Sequence, residues 1–155
     1  MTPYGKTAQN AIAAMSRLAE AYQEGLVLSS LEIARDRNLP QTLVAKLLTG
    51  LSQAGLVEGS RGPGGGYRLA RAPGKIALLD IVAVFERIED RTLCPFGPGW
   101  CGKNHPCPLH DQYARFNEQF DAFLRQTKLS VFPPMPPARK KKNKGNKEKP
   151  QLTRK

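Results

Sequence analysis

LSQAGLVEGSRGPGGGYRL, residues 51–69, decides how the rest of this 155-residue chain is read. Leu56-Val57-Glu58 and Tyr67-Arg68-Leu69 are short runs rich in strand-favouring residues. Between them lies Gly59-Ser60-Arg61-Gly62-Pro63-Gly64-Gly65-Gly66. Glycine reaches backbone conformations closed to other residues and proline blocks a helix, so the two runs are expected to fold back as a hairpin. Such a hairpin can press its backbone against phosphates or into a narrow groove, with Arg61 projecting and Gly64, Gly65 and Arg68 alongside. A merely flexible loop is the plainer alternative. A nucleotide-gripping phosphate loop is excluded, because no Lys-Ser/Thr pair follows the glycines.

Upstream, Gly55 stands where a left-handed helix cap belongs. It ends a helix predicted from about Gln41 to Ala54, burying Leu43 or Val44, Leu47, Leu48 and Leu51. Asn38-Leu39-Pro40 makes a tight turn, since the residue before a proline avoids the helical region. Before that turn a short helix, Leu31 to Arg37, is expected to be capped by Ser30 and to face Ile33 and Ala34 inward. A first helix covers residues 7–22, with Ala8, Ile12, Met15, Ala19 and Tyr22 at helical spacing and Gly25 behind it. Two helices joined by a tight turn, the second displaying Gln41, Thr42, Ala45, Lys46 and Thr49, form a helix-turn-helix. An ordinary three-helix core has the same spacing; the hairpin that follows decides between them. The fold class is mainly α with a small β-hairpin wing, a winged helix-turn-helix.

Downstream, residues 76–89 read as a helix packing the wing against the core, with Asp80 on its surface. Then comes CPFGPGWCGKNHPCPLH, residues 94–110, which contains every cysteine and histidine of the chain. Cys94, Cys101, Cys107 and His110 follow the spacing C-x6-C-x5-C-x2-H, and His105 is a spare imidazole. Thiolates converging from a Gly/Pro loop can hold a soft centre, either an iron–sulfur cluster or zinc. A second long helix is predicted from about Leu109 to Leu129. Its apolar residues Leu109, Tyr113, Phe116, Phe120 and Phe123 form one narrow stripe, which packs on its own domain, on a twin, or on both.

Composition narrows the classes. No apolar run reaches the length of a membrane span, and the N-terminus lacks a signal-peptide layout, so a cytoplasmic protein is expected. Cytosolic thiols stay reduced, which makes three clustered cysteines metal ligands before disulfides. Of the net charge of +11, nine Lys and Arg against Glu148 fall in residues 139–155. Pro133-Pro134-Met135-Pro136-Pro137 is an extended linker and the basic tail is too charged to fold, so it either solubilises or attracts nucleic acid without sequence preference. Within the body, Arg35, Arg37, Lys46, Arg61, Arg68, Arg71 and Lys75 against Asp36 and Glu58 mark a surface that faces a polyanion. An enzyme is not expected: nothing suggests a second acid, an oxyanion loop or a substrate pocket.

Residues 1–90 resemble the Rrf family of bacterial regulators, typified by IscR and NsrR. AMSRLAE in the first helix, LSSLEIARDRNLP across the second, and LSQAGLVEGSRGPGGGYRLARAPGKIALLDIV carry the resemblance. It implies that the third helix enters the DNA major groove, that the Arg61 wing approaches the minor groove, and that two copies pair through the long C-terminal helix. It also implies an iron–sulfur cluster, 2Fe–2S or 4Fe–4S, on Cys94, Cys101 and Cys107, with His110 in the place of the histidine ligand. Thr7 to Asn10 holds no carboxylate of the kind NsrR-like members contribute. Where IscR-like proteins often carry Glu-Gln in the recognition helix this chain has Ala45-Lys46, so the operator sequence does not transfer. The organisation expected is a winged domain over 1–90, a cysteine loop over 91–108, a dimerisation helix over 109–132 and a disordered linker and tail over 133–155. The function expected is a homodimeric DNA-binding regulator sensing redox state, nitric oxide or iron–sulfur status. The competing reading is a zinc-stabilised RNA- or ribosome-associated protein that senses nothing.

Overall fold

The computed structural model describes residues 4–87 and 107–134. The expectations for Cys94, Cys101, the loop around them and the basic tail lie outside the described residues. Helices α1 (Lys6–Ala21), α2 (Ser30–Asp36) and α3 (Gln41–Gln53) are followed by strands β1 (Val57–Ser60) and β2 (Gly66–Leu69), then α4 (Leu78–Phe85) and α5 (His110–Gln126). The architecture is mainly helical with one antiparallel hairpin, as the sequence predicts.

α1 sits in the middle. Every residue from Ala14 to Ala21 is buried, including Ser16, Arg17 and Glu20, because α2, α3, α4 and β2 all pack on it. The predicted single stripe understates this. Tyr22, assigned to that stripe, lies beyond α1 in a 3-10 turn and is exposed, while Gly25 closes that turn at φ 64°.

The cap of α2 is Ser29 rather than Ser30. The Ser29 hydroxyl accepts the Glu32 N–H at 3.2 Å, and the Glu32 carboxylate accepts the Ser29 N–H at 2.9 Å. That reciprocal pair satisfies two N–H groups that a helix start leaves open. α2 ends where Asn38 takes a left-handed conformation at φ 52°, one that asparagine tolerates, and Pro40 starts α3. Val44, Leu47, Leu48 and Leu51 of α3 are buried, whereas Leu43 is only partly covered. Gly55 adopts φ 69° and ends the helix as the sequence predicts.

The hairpin is longer than expected, with Ser60 paired to Gly66 and Val57 to Leu69. A third segment joins it: Leu28 and Tyr67 exchange N–H···O bonds of 3.0 and 2.8 Å. This bridge explains Gly66, where a Cβ would lie 2.7 Å from the Leu28 carbonyl oxygen. At Gly65 a Cβ would overlap the Ser60 carbonyl oxygen, and Gly64 holds φ 77°. The fold of the wing itself therefore requires these glycines.

α4 is shorter than predicted and packs mainly on α1 and α5, not on the wing. Ile76 and Ala77 are extended instead of helical, because they pair with the end of α5. Leu78 N–H bonds Thr127 O at 3.0 Å and Leu129 N–H bonds Ile76 O at 2.9 Å. The same bridge stops α5 at Gln126, short of the predicted Leu129. Leu124 and Leu129 are fully buried in the common core, so α5 is anchored to the winged domain at its C-terminal end.

Candidate nucleic-acid interface and cysteine turn

α3 has two sharply different faces. Opposite the buried Val44, Leu47, Leu48 and Leu51, the side chains of Gln41, Thr42, Lys46 and Thr49 are exposed. The hairpin places Arg61 and Gly64 exposed at its tip, with Gly65 half-buried behind them. Arg68, also exposed, is held across the hairpin by Glu58 at 2.9 Å. Exposed pairs of this kind contribute roughly 0–1 kcal/mol, so a phosphate can compete for Arg68 at small cost.

The positive surface is narrower than the sequence count suggests. Arg37 turns inward: its guanidinium donates to Glu20 at 2.6 Å and also to the Ser16 hydroxyl and the Ala13 carbonyl. Arg17 pairs with Asp36 at 2.7 Å and is nearly inaccessible to solvent. Together these side chains clamp the C-terminal end of α2 to α1, one turn before α3 begins. Arg37, counted from the sequence among the polyanion-facing charges, belongs instead to this clamp, and Arg17 and Glu20 carry no motif that marks them for it. The signal in the sequence is a pair of opposite charges within residues 14–21, whose other members apart from Ser16 are apolar.

Cys107 and His110 stand on one turn, closed by the His110 N–H to the Cys107 carbonyl at 2.9 Å. Cys107 is half-buried, and His110, the first residue of α5, is exposed. A thiolate and an imidazole three residues apart at a helix start suit a soft metal or a cluster, with the remaining ligands coming from elsewhere. Among the described residues no group of three or more metal-ligating side chains gathers, since Cys94 and Cys101 lie outside them.

Along α5 the aromatic stripe is a run of neighbouring rings, stacked from Phe116 to Phe123 and tilted at Tyr113. Ring centroids are 6.4 Å apart for Tyr113 and Phe116, 6.3 Å for Phe116 and Phe120, and 6.1 Å for Phe120 and Phe123. Tyr4 stacks on Phe120 at 5.8 Å. Phe116 and Phe123 remain about half exposed, at 49% and 50%. The residue α5 buries, Leu124, lies off the predicted stripe.

Comparison with known proteins agrees with this architecture. The family model Rrf2, described as an iron-dependent transcriptional regulator, matches residues 4–132. A candidate HTH-type transcriptional regulator of Neisseria meningitidis serogroup A is 35% identical over 119 residues, covering 77% of this chain and 79% of that protein. Among solved structures, CymR, the global cysteine regulator of B. subtilis, superposes with a TM-score of 0.69 at 26% identity, covering 84% of this chain and 96% of that one. IscR of T. potens superposes with a TM-score of 0.64 at 26% identity, covering 81% and 82%. Among the described residues no helix is long and apolar enough to cross a membrane.

Proposed function

The chain belongs to the Rrf2 family of transcriptional regulators, and from that premise we propose that it is a homodimeric DNA reader whose cysteine segment holds an iron–sulfur cluster. Members of this family are regulators and not enzymes. The observation that carries the reading is the divided α3, buried on one side and bare on the side bearing Gln41, Thr42 and Lys46. A B-DNA major groove about 12 Å wide admits such a helix. In this reading Gln41 and Thr42 meet base edges or phosphates and Lys46 reaches guanine or a phosphate. Arg61 enters the minor groove, while Gly64, Gly65 and Arg68 follow the backbone.

The test is Arg61→Ala, probed against a duplex selected from a random library by the unaltered protein. Affinity should fall about tenfold and the dependence of binding on salt should drop by about one phosphate contact, with an unchanged unfolding midpoint. Equal affinity would remove the wing from the interface.

Cys94, Cys101 and Cys107 with His110 would hold the cluster; when bound, it supplies a centre that oxidation or nitric oxide can alter. What supports this is the thiolate–imidazole turn at Cys107 and His110, the family's description as iron-dependent, and the three-cysteine pattern. The basic tail adds salt-dependent attraction to nucleic acid without sequence preference.

The partner for the aromatic stripe is a second copy of the chain. Phe116 and Phe123 stay half exposed within a stack that the body covers only in part. Phe116→Asp tests this without disturbing the core. It should give monomers in sedimentation at concentrations where the unaltered chain is dimeric. An intact dimer would place the contact elsewhere.

A further inference from the structure

Gly50 lies in the last turn of α3, inside the helix, where glycine costs up to about 1 kcal/mol relative to alanine. The structure supplies a reason. A Cβ at Gly50 would sit 3.3 Å from Phe85 Cε1 and 3.6 Å from its Cζ, with Val84 Cγ1 at 3.8 Å. The ring of the last residue of α4 thus rests on the backbone of α3, and a Cβ at position 50 would require ring and helix to part by a few tenths of an ångström. The end of α4 is itself fastened, because the Glu86 carboxylate accepts the Gly5 N–H at the start of α1. Phe85, partly buried against the core, is thereby placed as a stop against which α3 lies.

We propose that Phe85 is a positioning residue for DNA recognition: its ring on Gly50 sets the height and tilt at which α3 presents Gln41, Thr42 and Lys46. The claim rests on the reading of α3 as the groove-contacting helix. Base contacts are directional and phosphate contacts much less so, so a small tilt of α3 erodes specific binding while nonspecific binding persists.

The experiment uses the full chain as purified without oxygen, and two duplexes: one selected from a random library by the unaltered protein, and one scrambled. Gly50→Ala inserts the missing carbon, and Phe85→Leu withdraws the ring edge. Each should weaken the selected duplex about tenfold, the loss of roughly one good base contact, and leave the scrambled duplex unchanged. The double variant Gly50→Ala with Phe85→Leu should recover most of the loss, because the shorter side chain leaves room for the new methyl. Urea unfolding separates stability from position. In Gly50→Ala the gain in helix propensity and the crowding against Phe85 oppose each other, so weaker binding at an unchanged unfolding midpoint is an effect of position. Single variants that bind like the unaltered protein, or a double variant whose losses add, overturn the proposal. A chain that selects no duplex at all overturns the groove reading of α3, and this inference with it.

Discussion

Cys107→Ala is expected to leave the purification column colourless and free of iron when oxygen is kept out, whereas the unaltered chain should carry iron, acid-labile sulfide and a visible absorption band. The expectation is all-or-none for a physical reason. Three thiolates and His110, with His105 as a spare imidazole, are the candidate set, and the segment has no reserve donor as soft as a thiolate. Position adds to it. Cys107 closes the turn that starts α5, so its ligation would tie the loop to the helix whose far end is locked into the core through Leu124 and Leu129. The measurement is iron and sulfide content with an absorption spectrum. A variant spectrum matching the unaltered one removes Cys107 from the ligand set. An unaltered chain that is colourless and holds one zinc per protomer ends the cluster reading and leaves a structural Cys3His site, which stabilises but does not sense.

The second large effect is on stability. Glu20→Ala should lower the unfolding free energy by about 3–5 kcal/mol, because it strips a shared carboxylate from two guanidinium groups in a nearly dry niche. The side chains of Arg17 and Glu20 are only 3% and 7% exposed. Arg37 donates to Glu20 at 2.6 Å, and Arg17 Nη1 faces Glu20 Oε2 at 3.7 Å without a hydrogen bond. Asp36, at 2.7 Å from Arg17, would be left as the sole counter-charge of the cluster, which places the loss toward the lower end of that range. Urea unfolding followed by circular dichroism measures it. Glu58→Ala is the natural control: the Glu58–Arg68 pair lies on an open strand face, 52% and 62% exposed, so its removal should cost less than about 1 kcal/mol. Equal losses in the two variants would mean that the α1–α2 clamp is no more buried in solution than the wing pair.

Much of the helix-turn-helix and its hairpin is legible in the sequence. The bare and buried faces of α3 follow from the period of Val44, Leu47, Leu48 and Leu51, and Gly55 and Asn38 marked where its helices stop. These are local properties, written in residues three or four apart. The glycines of the wing were legible as a turn, but not for their full reason. Gly66 answers to Leu28, far away along the chain, and only the bridge between them shows why no side chain fits.

The amino-acid order by itself determined the element types, the hairpin, the two-faced third helix and the family, since each rests on short-range backbone preference or a compact motif. The tertiary structure alone decided which charges are surface and which are clamp, because α1 is enclosed from several sides and periodicity cannot register that. It alone decided where α5 ends, because Ala77 and Lys128 compete for the backbone that would otherwise continue the helix. It alone gave Gly50 a purpose, since the ring of Phe85 reaches it from another helix, and contact between distant segments is written in no local pattern.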